Sequence, residues 1–223
     1  MLNIVLVTAA ALLLGGVLFF EKRENPKGLV PTKTLLSCLF VLAALVQAHP
    51  IPRYTHFIIA GLVFCLGGDL FLALPQRKMF SLGLVSFFVG HVLYIAAFSG
   101  VGMLTFWTWT GFVVLCLISG GIYGWLKPHL GVMKGPVLCY ILVITVMMSG
   151  AWSVLVNSGL NLPARIMVFV GALCFYVSDV FVARDRFMNK AFLNRLIGLP
   201  MYYTGQFLLA FSLGFVNYFN SKP

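Results

Sequence analysis

Of the five acidic residues in this 223-residue chain, Asp69 and Asp179 stand inside long apolar runs. A charged side chain at the centre of a bilayer costs about 2.5–3.5 kcal/mol on insertion scales, so it persists where it is paired, protonated or facing water, and it marks a functional position. Two such acids at comparable depth can divide acid–base work, one carboxyl holding a proton and the other ionised. The remaining acids, Glu21, Glu24 and Asp185, are flanked by basic residues and read as solvated counter-charges in loops. Other polar side chains sit in neighbouring apolar runs: His91 with Tyr94 one turn further, Tyr140, and Tyr202, Tyr203 and Gln206. Tyr202 and Gln206 share a helix face at i, i+4. Interfacial belts also use Tyr, and a core His can be satisfied structurally, so each residue is a candidate through its company.

The elements that must carry these groups follow from composition. Hydrophobic residues make up 61% and charged residues 9%, against roughly 45–50% and 25% in ordinary globular chains. With a mean hydropathy of +1.02, most side chains have lipid as their solvent. A soluble domain, a disordered segment and a secreted disulfide scaffold are excluded. The net charge of +10 suits anionic headgroups rather than nucleic acid, because the basic residues fall in short connections. Cys38, Cys65, Cys116, Cys139 and Cys174 lie singly in apolar runs and read as small buried hydrophobes. His49, His56, His91 and His129 are scattered, and no zinc motif, nucleophile elbow or phosphate loop occurs.

The expected fold is all-α, a polytopic membrane helical bundle forming a single transmembrane domain over residues 1–223. About eight helices are expected, at Leu2 to Phe20, Thr34 to Ala48, His56 to Leu74, Met79 to Ser99, Phe106 to Leu126, Pro136 to Val156, Ala164 to Ala183 and Gly198 to Asn217. The second run is short and can reach back to Pro31. Breaks are expected at ENPKGLVPTK, LPQRK, LKPHLGVMKG and ARDRFMNKAFLNR, where Pro, Gly and charge cluster. No positive segment precedes the first run, which argues for a retained helix rather than a signal peptide.

Twelve of the fifteen Lys and Arg follow odd-numbered runs. The positive-inside rule then puts those connections in the cytoplasm and both termini outside. At 1.5 Å per residue, Asp179 lies about 7.5 Å from Arg184 and Asp69 about 12 Å from Arg77. Both acids therefore sit a little below the cytoplasmic headgroups, and a site there opens inward. GDLFLA at Gly68–Ala73 is echoed by SDVFVA at Ser178–Ala183, four runs later and in the same direction, which is consistent with a parallel repeat of two four-helix halves.

At these residues the sequence resembles the lysoplasmalogenase family of YhhN-like integral membrane proteins. The motifs are G-D at Gly68 and Asp69, F-x-x-G-L-x-x-F-x-x-x-H-x-x-Y from Phe80 to Tyr94, S-D at Ser178 and Asp179, R-F at Arg186 and Phe187, and Y-x-x-Q at Tyr203 and Gln206. The resemblance implies hydrolysis of the vinyl ether bond of a lysoplasmalogen, with an ethanolamine or choline headgroup, to a fatty aldehyde and a glycerophospho-alcohol. Asp69 and Asp179 would be catalytic, with Asp69, farther from solvent, chosen for the acid. His91, Tyr94, Tyr140, Tyr202, Tyr203 and Gln206 would orient the substrate, and Arg77, Lys78, Arg184, Arg186 or Lys190 would hold its phosphate. The reaction needs neither metal nor organic cofactor. The implied partners are a lysophospholipid substrate and membrane lipids, with no nucleic acid, in a bacterial cytoplasmic membrane. The competing reading is a proton-coupled transporter or lysolipid-binding protein in which the two acids carry protons and nothing is cleaved.

Overall fold

The computed structural model describes residues 1–217. Eight α-helices follow in order among them: α1 (Leu2–Lys22), α2 (Pro26–Leu45), α3 (Pro52–Ala73), α4 (Arg77–Ser99), α5 (Phe106–Leu126), α6 (Lys134–Leu155), α7 (Leu162–Phe187) and α8 (Phe192–Ser212). Two 3₁₀ turns link α5 to α6. The first seven helices, with α5 and α6 extended through those turns, are long and apolar enough to cross a membrane. Apolar side chains such as Leu12, Trp107 and Leu117 are exposed on outward faces, where lipid rather than water is their solvent. The chain is a multi-pass membrane protein.

Two boundaries differ from the sequence expectation. Pro26 and Pro31 suggested a break before the second helix, yet α2 starts at Pro26. Its missing N–H belongs to the first turn, where no intrahelical partner is needed, and the Asn25 side chain caps the helix by accepting from the Lys27 and Gly28 amides at 3.1 and 3.4 Å. Lys27 and Lys33 thereby move from a loop into a helix. Likewise α7 runs to Phe187 and α8 begins at Phe192, so most of ARDRFMNKAFLNR is helical. Within it Asp185 pairs with Arg195 across the hairpin, while Lys190 reaches Glu24 beyond the segment.

The bundle is built from two closely packed hairpins, α3 with α4 and α7 with α8. Helix α2 fits against α1, α3 and α8, while α6 bridges α4, α5 and α7. The α7–α8 hairpin relies on Gly171 and Gly205 facing each other. A Cβ at Gly205 would stand 2.7 Å from the Gly171 carbonyl oxygen, so only a residue without one lets the backbones approach this closely. The five cysteines do not share one environment. Cys65 is buried, but Cys38, Cys116 and Cys139 are exposed, because a lipid-facing surface is as apolar as the core and an apolar run does not imply burial.

Candidate active site

Asp69 lies one turn from the C-terminal end of α3 and is 1% exposed. Its Oδ1 faces the Lys33 ammonium at 3.2 Å. Its Oδ2 accepts from Ser37 Oγ at 2.6 Å and from the Tyr202 hydroxyl at 2.7 Å. Tyr203 OH stands 3.3 Å from Ser37 Oγ and extends the chain. Every contact of this carboxyl is with a donor or a cation, the set a carboxylate needs. Lys33 and Ser37 are one turn apart on α2 and so meet the same acid. Gly68 makes room beside it: a Cβ there would lie 2.6 Å from the Phe87 ring, which packs edge-on to Tyr202 with centroids 5.8 Å apart.

Asp179, on α7, has a different shell. Its Oδ2 accepts from the Tyr140 hydroxyl at 2.7 Å, and His91 Nε2 lies 2.9 Å from that hydroxyl and 3.5 Å from the carboxyl oxygen. Since Tyr140 gives its one proton to Asp179, His91 Nε2 donates to the Tyr140 oxygen in this arrangement. His91 is fully buried, and its Nδ1 has no partner among the described residues. The Asp179 side chain keeps 20% exposure. Phe175 stands against both His91 and Tyr202, with centroids 4.5 and 5.2 Å away, and so joins the two acid clusters.

Both acids line one cavity, bounded also by Lys33, Tyr140, Tyr176, Asn194, Arg195 and Tyr202 among mostly apolar side chains, with about 1120 Å³ of space including its mouth. A second pocket adjoins it, formed by the α3–α4 turn, Val182, Arg186 and Arg195, and shares Leu72, Phe80, Val182 and Arg195 with the cavity.

The remaining candidates divide. Tyr94 donates to Gln206 Oε1 at 2.7 Å, and both are fully buried. Tyr202, Tyr203 and Gln206 are buried three to four turns into α8 rather than in its first turns, because the helix starts earlier than expected. Tyr94, Tyr140, Tyr202 and Tyr203 are all buried, so none belongs to an interfacial belt. Among the basic residues, Arg186 lies over the Phe80 ring at 4.2 Å, Lys78 is exposed and Arg184 is half-buried. The Arg77 side chain lies outside the described residues. Exposed Lys190 pairs with Glu24 at 2.6 Å and holds that carboxyl below its usual range.

The YhhN family profile matches residues 30–213, more than half of the chain and everything from Lys33 to Gln206. The chain belongs to the YhhN family. It is 33% identical to a Bos taurus protein named Lysoplasmalogenase TMEM86A, over 80% of this chain and 76% of that one. A Mycobacterium bovis protein named Lysoplasmalogenase is 29% identical over 75% of this chain, and the match spans 63% of the mycobacterial length. An Escherichia coli relative, named Uncharacterized membrane protein YhhN, is 27% identical over 80% of this chain and 84% of its own. No solved structure matches.

Within this YhhN-family site, reasoning from residue types missed Lys33, Ser37 and Arg195 and misread Asp185. Asp185 is not a solvated counter-charge: it is 8% exposed and takes Arg195 Nε at 3.1 Å and a terminal guanidinium nitrogen at 2.9 Å. The usable signal for Arg195 was its ten-residue spacing from Asp185 across a helical hairpin. For Lys33 it was Pro26 as a helix start, which makes the lysine interior.

Proposed function

We propose that the chain is a lysoplasmalogenase, an ether hydrolase that splits the vinyl ether bond of a membrane lysophospholipid into a fatty aldehyde and a glycerophospho-alcohol. The observation that carries this reading is that Asp69 and Asp179, in unlike shells, line the same apolar cavity. Vinyl ethers hydrolyse by proton transfer to carbon, which gives an oxocarbenium ion. Water attacks that ion, and the resulting hemiacetal collapses to aldehyde and alcohol. The chemistry needs one group that delivers a proton and one fixed negative group.

The two shells suit different roles. Asp179, with no Lys or Arg beside it among the described residues and partly open to the cavity, delivers the proton. Tyr140 and His91 form a hydrogen-bonded line behind it that holds the carboxyl in place, and the proton Asp179 gives to carbon is replaced by the one the attacking water loses as the hemiacetal forms. Asp69, held by Lys33, Ser37 and Tyr202, is the carboxylate that faces the developing cation and orients the attacking water. This reverses the choice of Asp69 as acid, which depth alone suggested. The alkenyl chain lies among the apolar cavity residues, and the polar end meets the guanidinium groups at the mouth.

The test is aldehyde release by purified protein from a lysoplasmalogen, followed by mass spectrometry, beside the ester analogue of the same chain and headgroup. Aldehyde from the first and survival of the second are expected, because the ester has no alkene carbon to protonate. Comparable fatty-acid release from the ester would make the protein a lysophospholipase, and binding without any cleavage would favour a transporter.

A further inference from the structure

Arg195 is the one cation shared by the cavity that holds the two acids and the pocket adjoining it. Its guanidinium is held on one edge by Asp185. Asp185 is fixed in turn by the Ala191 amide at 3.2 Å and Asn194 Nδ2 at 3.4 Å. Glu21 stands 3.6 Å from Nη1 as a second counter-charge, outside hydrogen-bond distance, so Nη1 makes no hydrogen bond among the described residues. Across the adjoining pocket, exposed Arg186 rests on Phe80, and no carboxylate pairs with it among the described residues. Two guanidinium groups thus line a recess that shares a wall with the reaction cavity, and one of them is held in orientation by Asp185.

We propose that this recess is a phosphate subsite in which Arg195 and Arg186 clamp the phosphodiester of the lysolipid, with Asp185 as the positioning residue for Arg195. The assignment rests on the lysophospholipid reading given above and sharpens it. Arginine forks match phosphate oxygens two at a time, and a carboxylate behind the fork spares the ligand the cost of ordering a long side chain. The placement suits the substrate: its phosphate is separated from the vinyl ether by glycerol alone, and the recess shares Leu72, Phe80, Val182 and Arg195 with the cavity that holds the acids. Lys190, committed to Glu24, is not needed.

Binding of unreactive ligands tests the subsite apart from turnover. The full chain in maltoside detergent is titrated with a saturated 1-O-alkyl lysophosphocholine and with the 1-O-alkylglycerol that lacks the phosphodiester. Wild type should bind the first about tenfold or more tighter, the worth of a charge-assisted hydrogen bond. Arg195→Gln and Arg186→Gln should each remove most of that preference and leave alkylglycerol binding within about twofold, since its contacts are mostly apolar and it carries no phosphate for the forks. Asp185→Asn should weaken lysophosphocholine binding and raise KM more than it lowers kcat, and Arg195→Lys should restore only part of the preference. Equal wild-type affinity for the two ligands overturns the proposal, as does a preference that survives Arg186→Gln together with Arg195→Gln. If Arg195→Gln does not fold, the wild-type ratio and Arg186→Gln decide. Inorganic phosphate that binds at these arginines with no lipid preference would make the recess a free-anion site and also overturn it. Failure of aldehyde release with the binding preference intact would remove the hydrolase reading and leave the subsite standing.

Discussion

The two acids differ in what their replacement should do. Asp179→Asn keeps shape and removes the transferable proton, so turnover should fall by about 10²–10⁴-fold, the usual worth of general acid–base catalysis, while thermal unfolding in detergent shifts little. Tyr140→Phe and His91→Gln, which break the line behind Asp179, should give smaller losses in kcat. A folded Asp179→Asn protein with near-wild-type aldehyde release would remove this residue from the chemistry. Asp69→Asn is a harsher change, because it strands the buried Lys33 ammonium. Breaking such a pair from one side costs about 3–5 kcal/mol, whereas replacing both partners can be neutral. Asp69→Asn and Lys33→Met should each lower the unfolding temperature, and the double variant should recover most of it without recovering turnover. Additive losses in the double variant would deny the pair its coupling.

At the level of helices, the site depends on how closely α7 and α8 approach. Gly205→Ala would push a Cβ against the Gly171 carbonyl oxygen. Backbone cannot yield as a side chain does, so overpacking there should cost about 1–3 kcal/mol and disturb the Tyr202–Asp69 bond one turn away. Gly120→Ala, on a face of α5 where nothing lies within 4 Å, should be neutral or stabilise by about 0.5–1 kcal/mol. Comparable melting temperatures for the two variants would remove close packing as the reason for Gly205. The proline signals show why helix ends were hard to read. Pro26 marks a start and was read as part of a break, while Pro200 lies inside α8 and costs one intrahelical bond.

For the molecule as a whole, alternating helix directions gather the ends of α1, α3, α5 and α7 and the starts of α2, α4, α6 and α8 at one basic end, beside the two acids. By the positive-inside rule that end should face the cytoplasm. Cysteine labelling at Asn3 in intact cells should therefore modify the non-cytoplasmic side. Protection of that position until the membrane is permeabilised would reverse the orientation and open the site outward.

What could be read along the chain was whatever depends on local solvent preference. Lipid as solvent demands apolar runs about 20 residues long, so the number of helices was evident, and an acid inside such a run is costly enough to mark itself, as Asp69 and Asp179 did. Partnership is a different kind of information. Lys33 looked like a loop cation, Asp185 like a solvated one's counter-charge, and Tyr202 like an interfacial tyrosine, because each was judged by its sequence neighbours. Their actual partners lie 36, 10 and 133 residues away, and only the packing of α2, α3, α7 and α8 brings them within hydrogen-bond reach. The same packing gave Asp69 a cation and Asp179 a tyrosine. Two acids in echoed motifs, indistinguishable as sequence, acquire their separate chemistry from different neighbouring helices.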